Sequence, residues 1–192
     1  MSLLGYFQMI ITQENIHNNN IIINPNSKIK LLENQTQSAL EEYYHQLEYE
    51  FGCTYIVYIY EEMLSDKKII YTSHEKWQDQ LVGEKLINEC PIYKAATKTL
   101  FSGERSVILP WNNIHCKTPL EKSITLFRSE FNIANGIGIL HTNGIIREGI
   151  GLGADVNDFN FYLRILEDNL IYKILKKTRG LALAKNNFPI IH

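Results

Sequence analysis

NGIGILHTNGIIREGIGL, residues 135–152, decides the fold. Two runs rich in isoleucine, NGIGILH (135–141) and IIREGIGL (145–152), flank Thr142-Asn143-Gly144. An Asn-Gly pair between two β-prone runs is a strong short-range hairpin signal, because its residues tolerate positive φ. The pattern repeats upstream. CTYIVYIY (53–60), the turn EEMLSD and KKIIYT (67–72) form a second hairpin, and RSVIL (105–109) is a fifth strand. Hairpins join antiparallel strands, so the sheet is expected to be five-stranded and mainly antiparallel.

The segments between these strands read as helices. From residue 27, Leu32, Leu40, Tyr43, Tyr44, Leu47 and Phe51 recur at helical spacing, and Gly52 closes the run. A helix over 73–86 takes Ser73 as its N-cap, and Pro91 starts another that ends at Gly103. Thr118-Pro119-Leu120-Glu121 is a capping box with proline at the first helical position, so a helix runs from 119 to about 131. A long amphipathic helix fills 158–179. The class is α/β of the α+β type: an α-β-α three-layer sandwich with room for a small ligand between sheet and helices.

The 192 residues suit one domain, and 45% apolar with 21% charged residues marks a globular chain. A net charge of −2 offers nucleic acid no global basic field. Cys53, Cys90 and Cys116 are far apart and form no CxxC, so neither a zinc ribbon nor a disulfide scaffold is indicated. No apolar run approaches the roughly 18 residues of a membrane span, and MSLLGYFQMIITQENIH has no basic n-region and no cleavage site. The expectation is a cytoplasmic protein that binds no membrane, with no cofactor and no metal.

Several local features resemble the N-terminal autoinducer-binding domain of LuxR-type quorum-sensing transcription regulators. In WQDQLVGEKLINECP (77–91), Trp77 is followed thirteen residues later by Cys90-Pro91, similar to that family's Trp…Asp-Pro pattern. RSVILPW ends in Trp111 where the family has a second tryptophan, and EFNIANGIGI (130–139) resembles its helix-to-strand segment. The resemblance covers about 30–180. It implies a lead-in over 1–26, a sensor domain over 27–183, and a linker over 184–192 toward a helix-turn-helix domain outside this sequence.

In that family the tryptophan N–H donates to the lactone carbonyl of an acyl-homoserine lactone and the aspartate accepts from the ligand amide. The resemblance therefore makes Trp77 and Cys90 candidate ligand-binding residues. It adds Ser73 and Leu81, four residues before and after Trp77, where the family has tyrosines. Tyr58, Tyr60, Tyr93 and Trp111 complete the candidates, although strand alternation sends the sheet tyrosines to both faces. A thiol is a weak acceptor and cannot replace a carboxylate, so a lactone is not expected to bind in the usual way. Three readings stay open: a more apolar ligand, a related ligand held by other groups, or a pocket filled by the chain's own side chains.

Other motifs have plainer readings. The plainer readings are Trp77 as a core aromatic, Cys90 as an inert buried small side chain, and Trp111 as packing that closes the pocket mouth or covers a sheet edge. His115-Cys116 has no second ligand pair at metal spacing. Gly149-Ile150-Gly151-Leu152-Gly153 follows a hairpin instead of opening a βαβ unit, so its glycines more plausibly allow close approach of a ligand or helix. Lys173, Lys176, Lys177 and Arg179 give a basic helix end that suits the helix dipole and a solvated face. No catalytic set emerges, so the chain is expected not to be an enzyme. The leading expectation is a ligand-sensing and dimerisation domain. Its partners would be a small-molecule signal, a second copy docked on Tyr162, Ile165, Leu166, Leu170, Ile174 and Leu175, and DNA through the missing helix-turn-helix. The alternative is a constitutive interaction module of the same fold with a filled pocket.

Overall fold

The computed structural model describes residues 28–29, 34–65, 67–83, 86–101 and 105–184. The expected lead-in over 1–26, the tail from 185, Leu32 and Gly103 lie outside them. Six strands are present: β1 (Lys28–Ile29), β2 (Cys53–Glu62), β3 (Lys67–Thr72), β4 (Ser106–Pro110), β5 (Asn135–Thr142) and β6 (Ile146–Ala154). Six helices accompany them: α1 (Asn34–Phe51), α2 (Glu75–Gly83), α3 (Pro91–Phe101), α4 (Pro119–Glu130), α5 (Phe161–Leu166) and α6 (Leu170–Leu183). Strand order is β1-β3-β2-β6-β5-β4. The five expected strands pair antiparallel throughout, and the two-residue β1 adds a parallel edge beside β3.

The deciding hairpin pairs Gly138 with Gly151 and Ile139 with Ile150. Its turn is held by Asn143, whose Oδ1 accepts from the N–H groups of Ile145 and Ile146, while Gly144 takes a φ of +86°. β2 is the central strand, and a register shift between Cys53 and Tyr55 sets its two faces. Ile56, Tyr58 and Tyr60 point to one helical layer, and Tyr55, Val57, Ile59 and Glu61 to the other.

The first layer is α1, α5 and α6. Leu40 and Leu47, Phe161 and Ile165, and Ile171, Ile174 and Leu175 close a dry core over β2 and β5–β6. Each such side chain contributes about 1.5–3 kcal/mol by burial. A charged group sits inside it: Glu148 of β6 is fully buried, accepts from the Tyr58 hydroxyl at 2.6 Å, and is gripped by the Arg179 guanidinium (Nε at 2.9 and 3.0 Å). Arg179 is therefore no part of a solvated basic end. Lys173, Lys176 and Lys177 are exposed, and the Lys177 ammonium lies 4.1 Å from the Tyr43 ring and donates to the Gln46 side-chain oxygen at 3.0 Å.

Four expectations are corrected here. The single helix over 158–179 is two, because Asp168 and Asn169 take φ of 49° and 57° and break the chain direction between α5 and α6. Asp and Asn enter the left-handed region at little cost, so they can turn a helix that periodicity alone would run through. The stripe expected to face a second copy is spent within the chain: Ile165, Ile174 and Leu175 are core, and Tyr162, Leu166 and Leu170 pack on it half-buried. The helix expected from residue 27 starts at Asn34, and Ser73 does not cap α2. The Ser73 hydroxyl accepts from the Ile56 N–H, and His74 Nδ1 instead accepts from the Trp77 N–H at 3.3 Å.

Candidate functional site

The second helical layer, α2, α3 and α4, stands off the sheet and leaves a hollow of about 230 Å³. Its floor is the pocket face of β2, from Tyr55 to Glu61, about 20 Å at the rise of an extended strand. Leu81, Ile87, Ile92 and Ala96 form the helical wall, with Ile70, Leu109 and Leu140 on the sheet side.

Of the residues singled out from the sequence, Trp77, Leu81, Cys90, Tyr93 and Trp111 line this hollow together. Ser73 does not, since its hydroxyl ties the start of α2 to β2. Tyr58 and Tyr60 lie on the opposite face of β2, in the α1/α6 core. Tyr55, one phase away, takes the place at the hollow instead and donates to the Gln78 side-chain oxygen at 3.3 Å. Burial raises the Tyr55 phenol well above its usual range, a rise that hydrogen bonding to Thr72 offsets only in part.

Trp77 is 2% exposed, and its indole is packed by two rings of α4's end, with centroids 6.0 Å from Phe127 and 5.7 Å from Phe131. Trp111 lies flat across the interior strands β5 and β6, not over a sheet edge. Its ring occupies the space that a side chain at Gly136 would fill and borders Gly138, Gly151 and Gly153. Of the glycines that suggested close approach by a ligand or helix, Gly151 and Gly153 border this indole, whereas Gly149 borders Leu140. The Trp111 Nε1–H is buried and finds no hydrogen-bond partner.

The most unusual group at the site is one that sequence reasoning missed. Arg128 of α4 is 5% exposed and lines the hollow beside Tyr55 and Cys90. Its Nε donates to the Ile133 carbonyl at 2.8 Å and one terminal nitrogen to the Ala134 carbonyl at 3.1 Å. The guanidinium stacks 4.9 Å from the Trp111 ring. Burial pulls its pKa down, and nearby Cys90, Tyr55 and Cys116 oppose that. The available signal was a lone arginine in step with Ile124, Phe127 and Phe131 along an otherwise apolar helix face. At the far end of β2, Glu61 meets Arg147 at 3.3 Å and Lys68 at 3.9 Å, and burial lowers the Lys68 pKa.

Among the described residues no cluster of His, Cys, Asp and Glu could hold a metal ion, and no helix is long and apolar enough to cross a membrane. No protein-family model matches the sequence, and no curated protein matches it. Solved structures do. Escherichia coli SdiA superposes with a TM-score of 0.52 at 12% identity, over 98% of this chain and 71% of that one. The N-acylhomoserine lactone dependent LuxR family transcription factor CepR2 of Burkholderia cenocepacia gives 0.52 at 16% identity, over 80% of this chain and 88% of that one. At these identities the likeness is one of fold: the chain has the architecture of the LuxR-type autoinducer-binding domains.

Proposed function

We propose that this chain is the ligand-sensing domain of a LuxR-type transcription regulator, and that its signal is not an acyl-homoserine lactone held in the usual way. The observation that carries the reading is the apolar hollow between β2 and the α2–α4 layer, bordered by Trp77 and Trp111. A mostly apolar cavity with a few placed polar groups is the usual form of a small-molecule site. The same overall architecture occurs in CepR2, a lactone-dependent protein by its description, which supports the reading. Cys90 stands where a carboxylate would receive a ligand amide, and a thiol accepts weakly. An amide left unpaired there would cost about 1–3 kcal/mol. Dimerisation belongs to the proposal, on a surface other than the core stripe of α5 and α6.

The test is to purify the chain from its native host, denature it, and search by mass spectrometry for a stoichiometric small molecule. A bound molecule other than a lactone supports the reading. Recovery of none, together with failure of the folded protein to take up small apolar probes, would replace it with a constitutive interaction module. Sedimentation over a range of concentrations tests the dimer.

A further inference from the structure

We propose that the hollow is built for an acid: an amphiphile with one carboxylate, its oxygens on the Arg128 guanidinium and its apolar body along the cavity walls. This deepens the sensing function above and rests on it.

Three observations converge. The first is the state of Arg128. A guanidinium carries five N–H donors in a fixed fork. Those of Arg128 reach two main-chain carbonyls, while its face rests on an indole. No carboxylate among the described residues pairs with it, and the acidic groups around it are the side chains of Cys90, Tyr55 and Cys116. A buried cation normally has a charged partner, because carbonyl dipoles and a ring face offset its lost hydration only in part. A carboxylate accepts from the fork with two oxygens and supplies the missing charge.

The second is the charge of the whole cavity. The described residues that line it include three cations, Lys68, Arg128 and Arg147, and two carboxylates, Glu61 and Glu148. Glu148 belongs to the opposite face, held by Tyr58 and Arg179. Glu61 serves both Lys68 and Arg147 at one end. The end at Arg128, beside Trp111 and Cys90, holds a positive charge and an apolar wall and, among the described residues, nothing negative.

The third is size. Apolar cavities of about 150 Å³ take a benzene ring. A hollow of about 230 Å³ then suits an apolar body of about ten carbon atoms.

The experiment titrates the full chain with octanoate, decanoate and phenylpropanoate, each against its own amide, by calorimetry and by quenching of Trp77 and Trp111 fluorescence. At least one acid should bind about tenfold or more tightly than its amide. Arg128→Met should erase that preference and leave amide binding within about twofold. Should Arg128→Met fail to fold, Cys90→Asp places a carboxylate of the chain beside the guanidinium. It should weaken acid binding about tenfold. Amides binding as tightly as acids to the wild type, or acid binding unchanged in Cys90→Asp, overturns the proposal while the sensing function stands. If no probe binds and no molecule co-purifies, both fall. A stoichiometric neutral molecule in the purified protein removes the acid and keeps the sensor.

Discussion

Gly136 is held to glycine by an aromatic ring. A β-carbon there would overlap the Trp111 ring and the Leu152 carbonyl, whereas one at Gly138 would meet its neighbours at 3.5 and 3.6 Å, ordinary contact. Gly136→Ala should therefore cost about 1–3 kcal/mol, with the indole displaced into the hollow. Gly138→Ala should change stability by less than about 1 kcal/mol. Urea unfolding followed by tryptophan fluorescence reads both, and equal losses would mean that the ring is not seated on this part of the sheet. Glu148 gives a second prediction at this scale. Arg179→Met removes the charged partner of a fully buried carboxylate and should cost about 3–5 kcal/mol, while Arg179→Met combined with Glu148→Leu should recover most of that loss. A double variant no more stable than the single one would show that the pair does not act as a unit. Neither Glu148 nor Arg128 was legible in the sequence. Both are charged residues in step with an apolar pattern, and spacing alone does not say whether such a residue turns outward or is paid for inside. Trp77, Leu81, Cys90 and Trp111 line the hollow together, and the resemblance had singled them out; Tyr93, singled out only as a tyrosine of mixed role, joins them. Tyr58 and Tyr60 were misplaced because alternation defines two faces of β2 without naming the one that borders the hollow.

Elements with local chemical signals were read well. The capping box of α4 is present as the sequence implied: Thr118 Oγ1 accepts from the Glu121 N–H at 3.1 Å, and the Glu121 carboxylate accepts from the Thr118 and Lys117 N–H groups. Lys94 of α3 reaches the same carboxylate at 3.1 Å, so the cap also joins two helices of the layer over the hollow. Thr118→Ala should cost about 1 kcal/mol. The Lys117 N–H, first, and then Lys94 hold the Glu121 carboxyl below the ordinary value of 4.5. A depressed carboxyl stabilises the fold fully above the unfolded value and stops doing so as pH falls through the folded one. The stability difference between wild type and Glu121→Gln should accordingly be constant near neutrality and shrink below about pH 4.5. A difference that stays constant down to about pH 2 would contradict the assigned cause. Elements without such signals were misread. The break between α5 and α6 rests on the positive φ of Asp168 and Asn169, which the regular spacing of Ile165, Leu170 and Ile174 conceals.

At the scale of the molecule, one sheet carries two layers of different character. The α1/α5/α6 side is a continuous core tied across by Glu148 and Arg179, and the α2–α4 side keeps a hollow. The antiparallel pairing followed from the two hairpins and their turns, which are local features, whereas the order that sets β2 beside β6 and β4 beside β5 did not. The partner of the α5–α6 stripe did not, because an amphipathic helix declares that a face is buried and not what buries it. The asymmetry sets where a ligand would act. A molecule that binds only the folded chain adds about 2.7 kcal/mol at 100 times its dissociation constant. For a chain of this size that is a rise in melting temperature on the order of 5–10 °C. Local openings differ in free energy across a fold, so the gain in amide protection from hydrogen exchange should fall mainly on α2, α3, α4 and the pocket-bordering parts of β2. Helices α1 and α6, already closed over a dry core, should gain protection only through global unfolding. Protection that rises first in α1 and α6 would place the ligand on the other side of the sheet, and the hollow beside Trp77 and Arg128 would then have no part in sensing.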